Sequence, residues 1–195
     1  SIDGILFDKK IKTLITFPAN KKVTSYAIPS SVTTIHDHAF EQCINLTSIT
    51  IPHSVTKIGA YAFYYCLKLS SVSMTKSITS ISGYTFSGCK NLTNISIPNS
   101  VTSIGEYSFW NCINLTNIKI PDKVTIIKYG AFCNCDNLTN VSMPKSITSI
   151  GVYTFSGCKN LTNISIPQNV KSIGDSTFWG CVLSLIHISE PTRLQ

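Results

Sequence analysis

One spacing constrains this 195-residue chain more than any other feature: cysteine recurs at every 23rd position. The cysteines that share the spacing are Cys43, Cys66, Cys89, Cys112, Cys135, Cys158 and Cys181. A phenylalanine stands three positions before each of them, at Phe40, Phe63, Phe86, Phe109, Phe132, Phe155 and Phe178. A fixed period of roughly 20–50 residues is typical of repeat proteins, so we expect tandem copies of one small structural unit.

The unit is clearest between Cys43 and Cys66, where it reads C-x-x-L-x-x-I-x-I-P-x-x-V-x-x-I-x-x-x-x-F-x-x-C. Ile49 and Ile51 alternate with polar residues, as in a half-buried strand. Pro52 ends that strand because proline cannot donate to a sheet ladder. One unit supplies about seven inward side chains, too few for its own core, so the units must stack. We predict a β-dominated solenoid with a parallel sheet, one short strand per 23-residue coil, and turns and short helical segments on the return leg.

The period divides the chain into three parts. We expect an N-terminal capping segment over residues 1–24 and about seven tandem coils over residues 25–182. The periodic pattern stops at Cys181, and residues 183–193, LSLIHISEPTR, resemble a translated sequencing adapter. We therefore expect residues 183–195 to be a non-native tail and leave them out of the fold prediction.

A longer repeat is superimposed on the short one. Residues Val72–Cys112 match Val141–Cys181 at 31 of 41 positions, at an offset of three full coils. Some positions that are expected to be exposed agree too, as in the shared segment SGCKNLTNISIP, although packing does not require it. A recent duplication explains this identity, and an error in assembling reads from a repetitive gene is the alternative.

The formal net charge of +7 raises the question of a nucleic-acid partner, but the kind of basic residue argues against one. All but one of the 16 basic residues are lysines, whereas arginine is the side chain suited to forked contacts with phosphate or guanine. We therefore expect no nucleic-acid partner. No apolar run approaches the ~20 residues of a membrane-spanning helix, so we expect no membrane span in this piece of chain.

No metal, cofactor or catalytic site is predicted. One cysteine per coil, without a C-x-x-C pair or a histidine column, favours a column of buried reduced thiols over a metal or disulfide framework. His36, His38 and His53 are close in sequence, but the last two replace residues that vary between coils, so we expect no zinc site. The sequence has no phosphate-binding glycine loop, nucleophile elbow or paired carboxylates, and we expect neither a cofactor nor an enzyme.

The repeat resembles a known family. The segments LTSITIPHSVTKIGAYAFYYC and LTNISIPNSVTSIGEYSFWNC resemble the BspA-type (Treponema pallidum-type) leucine-rich repeat, and the likeness covers about residues 1–182. The resemblance implies a leucine-rich-repeat solenoid of surface or secreted proteins from host-associated bacteria and some parasitic protists. Members of the family are linked to adhesion, extracellular-matrix binding and co-aggregation, and the resemblance implies no catalytic residue.

The resemblance leads to a functional hypothesis. We expect a non-enzymatic binding or adhesion module of a cell-surface or secreted protein, which binds host matrix protein or glycan through its repeat surface. The alternative is an intracellular leucine-rich-repeat scaffold for protein–protein interaction. An enzyme with a site grafted onto the array would need a catalytic motif, and the sequence shows none.

Two columns of repeated side chains are the candidate ligand-binding residues. The first is a tyrosine column two positions before the phenylalanines, at Tyr61, Tyr84, Tyr107 and Tyr153. The second lies on the outward face of the predicted strand, at Asn94, Asn117, Asn140 and Asn163. Tyrosine offers rigid apolar contact area at little entropic cost, so we rank the tyrosines first. The alternative is that these rings cover the solenoid's turn and tighten neighbouring coils.

Overall fold

The computed structural model describes residues 1–182 and the backbone of the strand Leu185–Ile188. Within residues 1–182, Asn163 is described by its backbone alone. These residues form sixteen short strands and no helix. The strands are β1 (Leu6–Phe7), β2 (Thr13–Thr16), β3 (Ser25–Ala27), β4 (Thr34–Ile35), β5 (Ser48–Thr50), β6 (Lys57–Ile58), β7 (Ser71–Ser73), β8 (Ser80–Ile81), β9 (Ser103–Ile104), β10 (Asn117–Lys119), β11 (Ile126–Ile127), β12 (Asn140–Ser142), β13 (Ser149–Ile150), β14 (Asn163–Ile166), β15 (Ser172–Ile173) and β16 (Leu185–Ile188).

The parallel-sheet solenoid is confirmed, with one correction: most coils carry two strands instead of one. In the first strand column, β5 pairs in parallel with β7, and Ile49 lies opposite Val72, one full period further on. In a second column, β4 pairs with β6, and Ile35 lies opposite Ile58. The Val-x-x-Ile part of the return leg forms this second strand because its buried isoleucine holds the backbone in register with the neighbouring coil.

The rest of the return leg consists of turns, and the short helical segments that we expected there are wrong for the described residues. The Tyr64 amide donates to the Tyr61 carbonyl at 3.0 Å, which closes a turn. The Phe63 amide instead donates to the Thr85 carbonyl of the next coil at 2.8 Å. A helix would need these amides for bonds within its own coil. Left-handed φ angles of +56° at Tyr61 and +54° at Tyr65 also interrupt any helix.

Both strand columns are interrupted near Thr75, which occupies a position held by proline in the other coils. The first column runs β3-β5-β7, has no strand at residues 94–96 and resumes as β10-β12. A second break, which lies away from Thr75, separates β12 from the pair β14-β16. The second contains β1-β2-β4-β6 and then β8-β9-β11-β13-β15. On the turn side the bonds between coils continue, since the Phe86 amide donates to the Ser108 carbonyl at 2.8 Å. The interruption therefore affects the strand sides alone.

The two ends of the array differ from its middle. β1 lies antiparallel to β2, and β2 pairs in parallel with β4, so coil stacking begins inside the expected capping segment 1–24. At the other end β16 pairs with β14, and Leu185 lies opposite Asn163, one position short of the full period. The remaining residues of the expected tail 183–195 lie outside the described residues. The division into a cap, coils over residues 25–182 and a non-native tail stays a prediction.

The interior contains a continuous column of phenylalanine rings. Neighbouring ring centroids are 5.0–5.9 Å apart along Phe17, Phe40, Phe63, Phe86, Phe109, Phe132, Phe155 and Phe178. Phe17 extends the column by one coil beyond the phenylalanines that we took from the period, although it stands one full period before Phe40. The column runs through the whole array, so every coil is held to both neighbours by the same contact.

The cysteines form a second interior column beside the rings. Each periodic thiol donates to the carbonyl of a phenylalanine in the preceding coil, as Cys89 Sγ does to Phe63 at 3.2 Å. All eight cysteines are unpaired, which agrees with the predicted column of reduced thiols. Burial raises the pKa of the Cys112 thiol to about 12, so it stays protonated at neutral pH. A protonated, hydrogen-bonded thiol is a small core side chain and a poor nucleophile.

Candidate binding surface

The tyrosine column forms a ladder of stacked rings along the turn side of the solenoid. Ring centroids are 4.8 Å apart between His38 and Tyr61, 4.5 Å between Tyr61 and Tyr84, and 5.1 Å between Tyr84 and Tyr107. All four residues have left-handed φ angles, between +49° and +60°. This backbone conformation places each side chain at the same point of its coil, so the rings are superimposed.

Tyr153 joins the ladder only through a residue that we did not predict. Gly130 occupies the tyrosine position of the intervening coil, and a Cβ atom there would lie 2.5 Å from the ring of Tyr107. The neighbouring Tyr129 fills the space, with centroids 5.1 Å from Tyr107 and 5.5 Å from Tyr153 in edge-to-face contacts. A tyrosine directly beside the glycine that breaks the column is the sequence signal that identifies it.

Stacking decides which part of each tyrosine can reach a partner. Tyr61 and Tyr84 each have a ring on both sides, so their faces are occupied, and the ring edges and phenolic hydroxyls remain. Burial raises the pKa of Tyr84, and neighbouring Tyr61 raises it further. Burial and a hydrogen bond with Tyr129 raise the pKa of Tyr107. The phenols of Tyr84 and Tyr107 therefore stay protonated, and the hydroxyls of the ladder can act as hydrogen-bond donors.

Four carboxylates are close in sequence to the ladder, and one lysine, Lys128, directly precedes Tyr129, although the chain is basic overall. Asp37 directly precedes His38, and Glu41 follows it by three positions. Glu106 directly precedes Tyr107, and Asp175 precedes Ser176, which occupies the tyrosine position of its coil. His38 Nδ1 lies 2.7 Å from Glu41 Oε2, and Asp37 Oδ1 accepts a 2.9 Å hydrogen bond from the Ala60 amide. This local charge disfavours an acidic partner at the ladder.

The asparagine column lies on the first strand side, apart from the tyrosines. Asn117 and Asn140 are exposed and lie opposite each other in the register of β10 and β12. Asn94 is exposed in the segment that forms no strand. Asn163 starts β14, and its side chain lies outside the described residues. No described hydrogen bond or ring contact joins this column to the ladder, so the two candidate sets form separate surfaces.

The part of the chain that the structure describes contains no cluster of three or more histidine, cysteine or acidic side chains that could hold a metal ion. It also contains no helix of the length and apolarity needed to cross a bilayer. A groove of about 440 Å³ on the first strand side is lined by Lys22, Thr24, Asn45, Thr47 and Lys68, without a carboxylate, histidine or cysteine. Among these residues the groove offers hydrogen-bonding and basic groups and no acid/base pair.

One known sequence family matches most of the chain. The BspA type leucine-rich repeat region matches residues 15–138 and 79–194, in six copies. The chain belongs to the BspA-type leucine-rich-repeat family. The leucine-rich-repeat solenoid that the sequence resemblance implied is thereby confirmed, and no curated protein matches the chain.

Solved structures of leucine-rich repeat proteins share the fold. One from Bacteroides ovatus is 33% identical with a TM-score of 0.81, over 91% of this chain and 48% of that one. One from Eubacterium ventriosum is 30% identical with a TM-score of 0.85, over 98% and 50%. The T. pallidum leucine-rich repeat protein is 30% identical with a TM-score of 0.82, over 87% and 80%. The BspA-type chain thus spans about half the length of the first two.

Proposed function

We propose that the chain is a non-enzymatic adhesion module of a cell-surface or secreted protein, and that it binds host matrix protein or glycan through its repeat surface. Membership of the BspA-type family supports this proposal, because the repeat is a non-catalytic interaction scaffold in general. The residues that we assign to binding are Tyr61, Tyr84, Tyr107 and Tyr153, supported by Asn94, Asn117, Asn140 and Asn163.

The tyrosine ladder is the observation that carries the proposal. A left-handed backbone at a bulky residue costs roughly 1–2 kcal/mol, and Gly130 and Ser176 occupy the same position in other coils. The backbone therefore does not require tyrosine there. Partly buried rings at a regular spacing of about one coil give a partner the same weak contact several times, and repeated weak contacts add through effective concentration.

The ladder and the strand face have different roles in this proposal. The phenolic hydroxyls and ring edges of Tyr84 and Tyr107 anchor a neutral or basic segment, in keeping with the carboxylates beside them. The amides of Asn117 and Asn140 are adaptable donors and acceptors on the strand side. They serve an extended partner that reaches around the coil.

The test compares two double variants on immobilised extracellular-matrix proteins. Replacing Tyr84 and Tyr107 by alanine should abolish adhesion while circular dichroism stays unchanged. Replacing both by phenylalanine keeps the stack and removes only the hydroxyls, so adhesion should fall but persist. An Asn117→Ala, Asn140→Ala variant separates the strand face from the ladder. Full adhesion by the tyrosine-to-alanine variant would contradict the role of the ladder.

A second candidate, an intracellular scaffold for protein–protein interaction, is favoured by one observation. All eight cysteines are unpaired, and unpaired cysteines are commoner in reducing compartments than in secreted proteins. Antibodies against the chain distinguish the two candidates, since the adhesion module labels intact cells of the source and a scaffold labels them only after permeabilisation.

A further inference from the structure

A gap between large aromatic side chains lies in the column that directly follows the phenylalanines. Tyr64, Ser87 and Trp110 occupy this column in three successive coils. The small Ser87 therefore leaves a space between two rings, and the next residue, Gly88, adds no side chain to fill it. Gly88 has a left-handed φ of +74°, and its amide donates to the Trp110 carbonyl at 2.7 Å.

Tyr65 covers this gap. A Cβ atom on Gly88 would lie 2.8 Å from the Tyr65 ring, so the ring lies directly against the glycine backbone. The same ring contacts Trp110, with centroids 6.5 Å apart and planes tilted by 42°, and Tyr64 at 4.6 Å. Tyr65 and Trp110 together form an aromatic clamp at Gly88, the residue after Ser87.

The hydroxyl of Ser87, next to the clamp in sequence, has no hydrogen-bond partner among the described residues. Ser87 is fully buried, and its Oγ makes no hydrogen bond in the described part of the chain. Nearly all buried polar side chains are hydrogen-bonded, because leaving one unpaired loses its interaction with water. A ligand that opened the clamp and brought its own polar group would satisfy this hydroxyl.

The matching segment Val141–Cys181 contains the same site without the clamp. Ser156, Gly157 and Trp179 correspond to Ser87, Gly88 and Trp110 at the offset of three coils. Asn134 stands in place of Tyr65, and Trp179 is 71% exposed. The core residues of the two matching segments are the same. The presence of the clamp in one segment and its absence in the other is therefore a difference between surface residues that core packing does not require.

We propose that the Tyr65–Trp110 clamp binds a pyranose ring of a glycan. The Tyr65 ring swings outward, the apolar C–H faces of the sugar lie against the two rings, and a sugar hydroxyl bonds to Ser87 Oγ. A purely apolar ligand would leave Ser87 unpaired. A cationic side chain is disfavoured because Lys68 is three positions after Tyr65 and Lys90 is two positions after Gly88, and Glu41 is already paired with His38. The inference rests on the proposed function, of which it names one ligand class.

The two tryptophans of the chain give each site its own fluorescence signal. A Trp179→Phe chain reports from Trp110, and a Trp110→Phe chain reports from Trp179. We expect at least one of methyl β-galactopyranoside, N-acetylglucosamine and N-acetylneuraminic acid to change the Trp110 emission saturably, in the millimolar range, and to leave the Trp179 emission unchanged.

Matched variants locate the binding. Tyr65→Asn copies the duplicated site and should weaken binding by about tenfold or more, whereas Tyr65→Phe should keep it. Asn is readily accommodated at a left-handed position, and circular dichroism checks the fold. Asn134→Tyr, made in the Trp110→Phe chain, should build a second clamp and make Trp179 respond.

Three results would overturn the inference: no saturable change with any of the three sugars, equal affinity in Tyr65→Asn, or a Trp110 response to hexalysine and to no sugar. The adhesion assay separates this inference from the proposed function. A chain that adheres to matrix proteins but binds no sugar contradicts the clamp alone, and a chain that does neither contradicts both.

Discussion

At the scale of single residues, the phenylalanine column dominates the packing. Phe86 is fully buried and has a ring on each side, with centroids 5.3 Å from Phe63 and 5.5 Å from Phe109. Stacked aromatic pairs add about 0.5–1.5 kcal/mol beyond the area that they bury. An interior ring therefore contributes more than a terminal ring.

Replacing Phe86 by alanine should lower the free energy of unfolding by ~3–5 kcal/mol, through lost apolar transfer and the cavity left behind. Phe178 is the matched control, since it is half-buried and its one described ring contact is Phe155 at 5.9 Å. Phe178→Ala should cost clearly less in urea unfolding followed by circular dichroism. Equal losses at the two positions would show that the stacked column is not the main stabilising contact.

The core of a coil could be predicted from the sequence because the same residue types recur at the same position of each 23-residue unit. Phe86, Cys89 and Leu92 are fully buried, and Ile95 and Ile97 are 9% and 7% exposed, as the register of the repeat requires. The conformation of the tyrosine ladder could not be predicted in this way. Bulky residues seldom adopt positive φ, and Gly130 was the one residue in that column that indicated it.

At the scale of elements, the coil with Thr75 is the weak point of the array. Proline occupies this slot in the other coils, at Pro29, Pro52, Pro98, Pro121, Pro144 and Pro167. Thr75 Oγ1 is buried without a hydrogen-bond partner among the described residues. Beside it lies a groove of about 400 Å³, lined by Met74, Thr75, Lys76 and residues 96–99, where the strand columns are interrupted.

Replacing Thr75 by proline should raise the free energy of unfolding by about 0.4–1 kcal/mol, because proline restricts the unfolded chain. It also removes the unpaired hydroxyl, and no described hydrogen bond uses the Thr75 amide. The Met143–Pro144 pair at the equivalent position shows that proline fits after methionine. The reverse change, Pro144→Thr, should lower stability in the same urea assay. A destabilised Thr75→Pro protein would mean that the interruption has another cause.

The sequence predicted the first strand, which all coils but that of residues 94–96 form, and missed the second for a physical reason. Ile49 and Ile51 alternate over a long enough stretch to mark a strand, whereas Lys57–Ile58 contains a single alternation. Such a short strand exists only because the neighbouring coil supplies its hydrogen bonds. The turn segment was expected to include helix because the period alone does not show whether amides bond within a coil or between coils.

At the scale of the whole molecule, the chain is a row of interchangeable coils. Coils contact mainly their immediate neighbours, although the Tyr65 ring also reaches Trp110 two coils further on, so stability is approximately a sum of coil and interface contributions. The matching segments Val72–Cys112 and Val141–Cys181 are offset by a whole number of coils, so both occupy the same register of the repeat. Removal of the three coils between the two starting points should therefore be tolerated.

The most direct test of this account deletes residues 72–140, which joins Ser71 to Val141 and keeps the 23-residue period. The shortened protein should stay folded by circular dichroism. Its maximum dimension in small-angle X-ray scattering should be smaller by about 14 Å, three strand spacings. Its free energy of unfolding should be lower, because three interfaces are lost. An unfolded chain, or a folded one with an unchanged maximum dimension, would contradict the stack of interchangeable coils.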